Sequence, residues 1–343
     1  MNMNTQNEQV YRLNQLFFQK KVHKNYNETI GHFKKIIKSF FIFNLSFFAA
    51  FFAQVLTFSF LLSSIGSSTR LALLLAGIIL TSFVYFVMFF YFQSKKNIEI
   101  SLIKNNFIFA CKKEISLPVG SAEHHLTISL AAQKLCEILT EKELEVLKLP
   151  KFLSKISQLL QTYFLKKDLF NFKEALFIAA ANEHLIQIKT TPTNLEIHSS
   201  LANLYTTLSA FYAHARDFIF SSKISKANII QKQEACVSCA IEEFKILNDY
   251  APNDHWIHLQ LANNYKKLGM IKEQIKEYET IYKLCPNDNS ILFKLGVLYF
   301  ETNKNLKGLR VYEELKMRSF KDADQLLPHY GIFKNHETLT DTI

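Results

Sequence analysis

Two long apolar runs dominate the first hundred residues of the chain. Between Lys38 and Lys95, Arg70 is the only charged residue. The runs 39–62 and 71–92 have the length, ~20 residues, with which a helix crosses the hydrocarbon core of a bilayer. A buried core hairpin and a signal peptide are the alternatives, but the long segment 1–38 precedes the first run and a second run follows it. The pattern therefore predicts two membrane-spanning helices.

Basic residues flank this pair of helices. Seven Lys or Arg lie in residues 1–38 and five in residues 93–120, whereas the polar connector Ser63–Thr69 is followed only by Arg70. Because positively charged flanks stay in the cytoplasm, we expect both termini to be cytoplasmic and the connector to lie outside. So short a connector predicts an antiparallel hairpin, and we expect the flanking lysines to attract anionic lipid.

Three polar residues lie inside the first run: Asn44, Gln54 and Thr57. They could line a path for a substrate, or they could form hydrogen bonds between the two helices. Neither run contains an ionisable residue of the kind that marks pumps and proton relays, which favours the second interpretation. The hairpin is predicted to be an anchor.

The rest of the chain has the pattern of helices. The whole sequence has only eight Gly and six Pro, too few for most strand-rich folds. Apolar residues at helical spacing predict helices over 121–139, 151–167 and 171–188, and Thr140 and Glu143 have the spacing of a capping box that opens another helix. The fold class is therefore predicted to be all-α.

A pattern with a period of about 34 residues, a length typical of helical repeats, recurs in the second half. Pro-Asn-Asp begins at Pro252 and again at Pro286, and Pro192 precedes Pro252 by almost two such periods. After each of the three prolines, residues at the same offsets form one face of a predicted helix. These residues are His198, Leu201, Ala202 and Tyr205; His258, Leu261, Ala262 and Tyr265; and Leu292, Leu295, Gly296 and Tyr299. A second helix is predicted in each repeat, with Phe244, Tyr278 and Tyr312 in one slot. Each repeat thus predicts a pair of helices.

Turn and cap residues mark the ends of these helices. Gly269 occupies the turn slot in one repeat and Asn303 occupies it in the next, and both residue types tolerate a left-handed backbone. Asp254 and Asp288 are each predicted to cap the helix that follows. A single helix pair cannot bury its own apolar face, so several stacked pairs are expected to share one core.

These slots resemble the tetratricopeptide repeat, whose signature over about 34 residues is a large residue, Leu, Gly or Ala, Tyr, a small residue, an aromatic residue and Pro. The resemblance implies a right-handed α-solenoid of helix pairs. The wide spacing of Pro192 and Pro252 implies an insertion near 211–233. The predicted organisation begins with a basic N-terminal segment (1–38), the hairpin (39–92) and a basic connector (93–120). A helical region with a degenerate repeat (121–192) follows, then the repeats (193–320) and a tail (321–343). The repeats comprise 193–254 with the insertion, 255–288 and 289–320.

The charge and the cysteines restrict the function further. The net charge is +10, but most of the excess flanks the apolar hairpin rather than covering the predicted repeats, so no nucleic-acid partner is predicted. The five cysteines are scattered, which favours a reducing compartment. High Phe, Lys and Asn with few Gly is typical of an AT-rich bacterial genome.

Residues for catalysis or metal binding do not form a recognisable set. There is no Gly-rich phosphate loop and no nucleophile elbow. Cys236 and Cys239 form one Cys-x-x-Cys without a second pair, and His198 and His258 occupy packing slots, so burial is favoured over ligation. We predict no enzyme activity, no cofactor, no metal and no small-molecule substrate. His124 and His125 have no assigned role.

The resemblance implies a docking surface instead. In tetratricopeptide folds the first helix of each repeat lines a concave surface that binds an extended peptide or a partner helix. Transferred by register, this surface consists of seven residues, which we call the docking set: Asn203, Trp256, Gln260, Asn263, Lys266, Lys267 and Lys294. Asn203 and Asn263 share one slot, where an amide can both donate to and accept from a peptide backbone. The lysines are suited to an acidic partner.

These expectations combine into one function. The chain is predicted to be a multi-pass protein of a bacterial inner membrane, with a cytoplasmic repeat domain that acts as a scaffold for protein–protein interactions. The alternatives are a secreted effector inserted into a host membrane, and a non-catalytic subunit of a membrane enzyme or transport complex. The partner itself is not identified by the sequence.

Overall fold

Helices account for all the regular structure in the part of the chain that is described. The computed structural model describes residues 3–63, 68–115, 122–141, 154–218 and 223–331. No strand occurs within these ranges, which confirms the predicted all-α class. Thr140 lies inside a helix that continues to Glu141, so the predicted restart at Thr140 is wrong, and Glu143 lies outside the described residues.

The helices fall into two compact units. The N-terminal unit is Met1–Ile186 and the C-terminal unit is Gln187–Ile343. The helices in chain order are α1 Met3–Ser63, α2 Ser68–Glu114, α3 Ala122–Glu141, α4 Ser154–Thr190, α5 Leu195–Phe218, α6 Lys223–Tyr250, α7 His255–Lys267, α8 Ile271–Leu284, α9 Asn289–Glu301 and α10 Asn305–Met317, followed by a 3₁₀ helix, Ala323–His329.

Helices α1 and α2 pack along each other and contain the two apolar runs. Each has an 18-residue window of high mean hydropathy, 1.8 in α1 and 2.5 in α2, none of which is buried inside the protein. Large side chains such as Phe52 and Leu73 are 64% and 70% exposed. Apolar surface on this scale needs an apolar solvent or a partner, and both helices are long and apolar enough to cross a membrane.

Polar side chains connect the two apolar runs. The Gln54 amide donates to the Thr81 hydroxyl at 2.9 Å, and the Tyr85 hydroxyl donates to the Asn44 side-chain oxygen at 2.9 Å. These contacts confirm the interhelical interpretation of Asn44 and Gln54. Thr57 differs, because its hydroxyl donates at 2.8 Å to the backbone carbonyl of Gln54 in its own helix.

Both helices continue well beyond the apolar runs and form a core there. Tyr26 of α1 contacts Phe107 of α2, with ring centroids 5.8 Å apart. Phe33 of α1 stacks on Phe172 of α4 at 4.9 Å, and both rings are fully buried. The base of the hairpin is therefore a folded helical core rather than a pair of isolated helices.

A buried ion pair joins α2 to α4 at the end of the second apolar run. The Lys96 ammonium lies 2.7 Å from the Asp168 carboxylate, and the two side chains are 2% and 6% exposed. Lys96 also lies over the Phe40 ring, 4.2 Å from its centroid. Burial raises the pKa of Asp168, and the charge of Lys96 and its hydrogen bond act against that rise. Removing either partner would leave an uncompensated buried group.

Helix α4 corrects one prediction. The sequence pattern predicts separate helices over 151–167 and 171–188, but residues 154–190 form one helix. No Gly or Pro lies between the predicted helices, so nothing there breaks the backbone hydrogen bonding. Asp168, in the predicted break, has its side chain engaged by Lys96.

The C-terminal unit consists of consecutive helices that pack on their neighbours along the chain, from α5 to α10. Helices α7 and α8, and α9 and α10, have 13 or 14 residues each and are joined by short links. The predicted insertion near 211–233 makes the preceding pair longer: α5 has 24 residues and α6 has 28. Its described residues extend both helices instead of forming a loop.

Two turn residues adopt the backbone that the sequence predicts. Gly269 has φ +70° and Asn303 has φ 60°, and each follows the first helix of its pair. Packing also requires a glycine at the small-residue position of the last pair. A Cβ atom on Gly296 would lie 2.8 Å from side-chain atoms of Leu326 and Val311. Leu326 belongs to the 3₁₀ helix, which therefore covers this face of α9.

Candidate docking surface

Six of the seven docking residues lie on α7 and α9, whose starts are fixed by aspartate caps. The Asp254 side chain accepts a hydrogen bond from the backbone N–H of Trp256 at 2.9 Å. The Asp288 side chain accepts from the backbone N–H groups of Ser290 and Ile291, at 2.9 and 3.2 Å. Both predicted caps are confirmed. They satisfy backbone donors in the first turn of α7 and of α9, and so set the register of each helix.

Two histidines form equivalent bridges in successive helix pairs. His198 Nε2 lies 2.8 Å from the carbonyl oxygen of Pro192, and its Nδ1 lies 2.5 Å from the carboxylate of Glu243. His258 Nε2 lies 2.9 Å from the carbonyl oxygen of Pro252, and its Nδ1 lies 2.6 Å from a carboxylate on α8. We call each of these a histidine bridge. Each ties the loop before a helix to the second helix of the pair.

The second bridge uses Glu277, which follows Glu243 by the same interval that separates Pro252 from Pro286. The two histidines are as far apart in the sequence as the two prolines that they contact, so the insertion lies entirely between His198 and Glu243. Register alone thus brings the same three groups together in both pairs. Both histidines are buried, which confirms the predicted burial of these side chains.

The partners of His198 favour a charged imidazole. A carbonyl oxygen and an ionised carboxylate can only accept, so both ring nitrogens must carry a proton. Burial lowers the pKa of His198, but the Glu243 carboxylate and the Pro192 carbonyl outweigh burial, and the net shift is upward. Helix α5 is consequently held to α6 by a charge-assisted contact.

In the third pair, a different residue binds the proline carbonyl of the loop before the first helix. Leu292 takes the histidine slot, and a leucine cannot donate to the Pro286 carbonyl. Arg318, at the end of α10, donates to the Pro286 oxygen at 2.6 Å and to the side-chain oxygen of Asn289 at 3.2 Å. The loop before α9 is therefore also tied to the end of the second helix.

The docking set is mostly exposed. Asn203, Asn263, Lys266 and Lys294 are exposed, and Gln260 is half-buried. Trp256 is 37% exposed, and its ring makes an edge contact with Phe244 at 5.8 Å, so one edge belongs to the core while the rest reaches solvent. The slot shared by Asn203 and Asn263 holds Val297 in the third pair. The amide surface therefore belongs to α5 and α7.

Lys267 differs from the other docking lysines. Although the residue as a whole is exposed, its ammonium lies 3.3 Å from the Ser209 hydroxyl and 3.4 Å from the Asn264 side-chain oxygen. Partial burial of the ammonium lowers its pKa. Ser209 lies on α5, the helix that the insertion lengthens. Lys267 is thus engaged within the C-terminal unit, and Lys266 is the more available cation of the two.

The N-terminal unit has a second polar cluster that the sequence did not assign. Glu183 of α4 accepts from Lys112 at 2.7 Å and lies 2.8 Å from His125 Nδ1. Next to it, the Ser129 hydroxyl lies 2.9 Å from His184 Nε2. Burial lowers the pKa of His184 to about 4. Ser129 and His184 are 0% and 1% exposed, and the cluster joins α2 and α3 to α4.

The glutamates of the histidine bridges are the main feature that sequence reasoning missed. The histidine slots were identified, but no partner was assigned to them. A signal existed, because Glu243 and Glu277 keep the spacing of the repeat. Cys236 and Cys239 are half-buried and exposed on α6, and no group of three or more potential metal ligands occurs among the described residues.

No protein-family model matches this sequence, and no curated protein matches it significantly.

Proposed function

We propose that the chain is a membrane-anchored helical-repeat scaffold that binds a protein partner. The anchor is the α1–α2 hairpin, and the repeats are the helix pairs of the C-terminal unit, stacked as in tetratricopeptide proteins. The proposal includes a cytoplasmic location for both termini, at the inner membrane of a bacterium.

One observation carries the repeat assignment. The proline carbonyl, the imidazole and the carboxylate of a histidine bridge recur in two helix pairs, although the insertion separates His198 from Glu243 in the first of them. Recurrence of the same contact at the repeat interval is what a stack of related pairs requires. The positive φ of Gly269 and Asn303, at matched turns, supports the same arrangement.

The anchor rests on the exposed apolar surface of α1 and α2. The polar contacts Gln54–Thr81 and Tyr85–Asn44 join the helices to each other and leave aromatic and aliphatic side chains outside. Hydrogen bonds between helices are the usual way to satisfy amides within a bilayer. Orientation follows from the Lys and Arg on the two flanks, 1–38 and 93–120.

The docking function rests on chemistry that the core does not use. Asn203 and Asn263 present amides from equivalent positions on α5 and α7, and Lys266 presents a cation one turn from Asn263. An extended peptide with acidic side chains fits this combination, because the amides can bind its backbone and the lysine its carboxylates.

Site-specific photo-crosslinking tests the docking surface. A benzoylphenylalanine placed at Asn263 or Asn203 of the full chain in its native cells should give the same discrete higher-mass adduct. The same probe at Lys276, exposed on α8, is the matched control and should not give it. An adduct of equal yield from all three positions, or none from Asn263, would contradict the proposal.

Membrane insertion and orientation are tested separately. The full chain should float with vesicles and resist carbonate extraction. A reporter active only in the cytoplasm should be active when fused after residue 343 and inactive when inserted into the connector Ser63–Thr69. A chain that stays in the soluble fraction would refute the anchor, whatever the crosslinking result.

A further inference from the structure

A groove lined by both polar and apolar side chains lies between α1 and α2 at the base of the hairpin. It has a volume of about 540 Å³, within the range of small-molecule sites. Its lining includes Lys35, His32 and Ser39 from α1 and Glu99 and Asn106 from α2. The groove thus carries a cation, two carboxylates including that of Glu28, and hydrogen-bonding groups.

The groove begins where the first apolar run begins. Ser39 is the first residue of that run, and Lys35 is one helical turn before it, ~6 Å along the helix axis. Glu99 is two turns beyond Phe92, the end of the second run, or ~10 Å. The polar layer on each side of a bilayer is about 5–8 Å thick. Lys35 therefore lies at headgroup depth, and Glu99 lies just beyond it.

The order of charges along the groove identifies the ligand chemistry. From the apolar run outward, a cation comes first and the carboxylates of Glu99 and Glu28 follow. In a phosphoethanolamine headgroup the phosphate is next to the lipid glycerol and the ammonium is distal, two carbons away. Phosphate at Lys35 and Ser39 would place the ammonium toward Glu99. A phosphoglycerol headgroup has no cation for these carboxylates, and a choline ammonium has no N–H to donate.

The polar groups of the groove are incompletely used by the protein. Glu28 and Glu99 have long contacts to lysines one turn away, 3.8 and 3.9 Å, with exposed side chains. Asn25 also lines the groove, and its buried amide nitrogen has no hydrogen-bond partner within the described part of the chain. Exposed pairs of this kind are weak and exchange readily for a better partner.

We propose that this groove binds the headgroup of an aminophospholipid, with the phosphate at Lys35 and Ser39 and the primary ammonium at Glu99. This inference rests on the proposed membrane anchor. It adds a specific lipid site to a surface for which the sequence predicts only general attraction of anionic lipid.

The test measures lipid retained by the full chain. Protein reconstituted in phosphatidylcholine vesicles, alone or with phosphatidylethanolamine or phosphatidylglycerol, is extracted in mild detergent and examined by native mass spectrometry. One phosphatidylethanolamine should be retained per chain in preference to the other two lipids. Lys35→Gln and Glu99→Gln should each reduce retention by about tenfold, the effect of one charge-assisted hydrogen bond.

Lys38→Gln is the matched control, because Lys38 is a lysine at similar depth that does not line the groove. It should leave retention unchanged. Equal retention of the three lipids, or equal losses in Lys35→Gln and Lys38→Gln, would overturn the site. Unchanged retention in both groove variants would do the same. Each variant must keep the helical circular dichroism of the parent.

Two further arms separate the alternatives. Soluble glycerophosphoethanolamine, added to the delipidated chain, distinguishes a water-soluble ligand from a lipid: if it binds as well as the lipid and is lost in Lys35→Gln, the headgroup chemistry stands and the source is soluble. Flotation of the parent chain is measured first. Failure to float refutes the membrane anchor, whereas flotation without selective retention refutes the groove alone.

Discussion

Replacing His258 by leucine tests whether the histidine bridges stabilise the helix pairs. The change copies the third pair, which has Leu292 in the same slot. In the second pair, however, the imidazole is the donor at the Pro252 carbonyl, and Glu277 loses its contact to the same ring. The variant leaves a carbonyl and a carboxylate without this donor.

The expected cost follows from these two contacts. A hydrogen bond to a charged group contributes about 1.5–3 kcal/mol and a neutral one about 1 kcal/mol. Burying leucine in a site that is 5% exposed returns on the order of 1 kcal/mol. The net loss should be about 1.5–3 kcal/mol. With a urea m-value of about 2 kcal/mol/M, the midpoint should fall by about 1 M.

The measurement uses the only tryptophan of the chain. Trp256 is close to His258 on α7 and contacts Phe244 of α6, so its fluorescence reports unfolding at this helix pair. Urea titrations of the full chain in detergent micelles give the midpoint. His255→Leu is the control, because His255 is exposed on the same helix, and it should leave the midpoint unchanged. Equal midpoints for both variants would refute the stabilising role of the bridge.

Three further outcomes are expected. The pKa of His198 is higher in the folded chain than its unfolded value of about 6.5, so its bridge stabilises fully below pH ~6.5 and the stabilisation is lost as pH rises through the folded pKa. Above that folded pKa, the parent should lose more stability than His198→Leu, as measured by urea titrations at several pH values. Gly308→Ala should destabilise by about 1–3 kcal/mol, measured by thermal unfolding, because the new Cβ would overlap the buried Phe300 ring. Asp168→Asn should cost about 3–5 kcal/mol in the same assay, since Lys96 would stay buried without its partner.

The sequence predicted what depends on local pattern. The apolar runs, the caps at Asp254 and Asp288 and the turn residues Gly269 and Asn303 each follow from residue type and spacing, and the structure places all of them as expected. These features are determined by the backbone within one helix or one turn. They can be predicted without knowing which helices pack against each other.

Features that depend on distant contacts were missed. Lys96 and Asp168 lie on helices that are far apart in the sequence, and nothing in either neighbourhood indicates that two charges are buried together. The continuous helix α4 was missed for the same reason. Asp168 lies where the sequence pattern predicts a break, but its side chain contacts Lys96 of α2. The groove between α1 and α2 likewise needs both helices, since each contributes only part of its charge.

The 3₁₀ helix Ala323–His329 has a consequence for the proposed stack of helix pairs. Leu326 is fully buried, and its side chain packs against Gly296 of α9. In the proposed stack of helix pairs, this short segment seals the apolar face of α9 against which another pair would otherwise pack. Without that seal, the last pair would present a bare apolar end, and copies of the chain would be prone to join end to end into oligomers of undefined size.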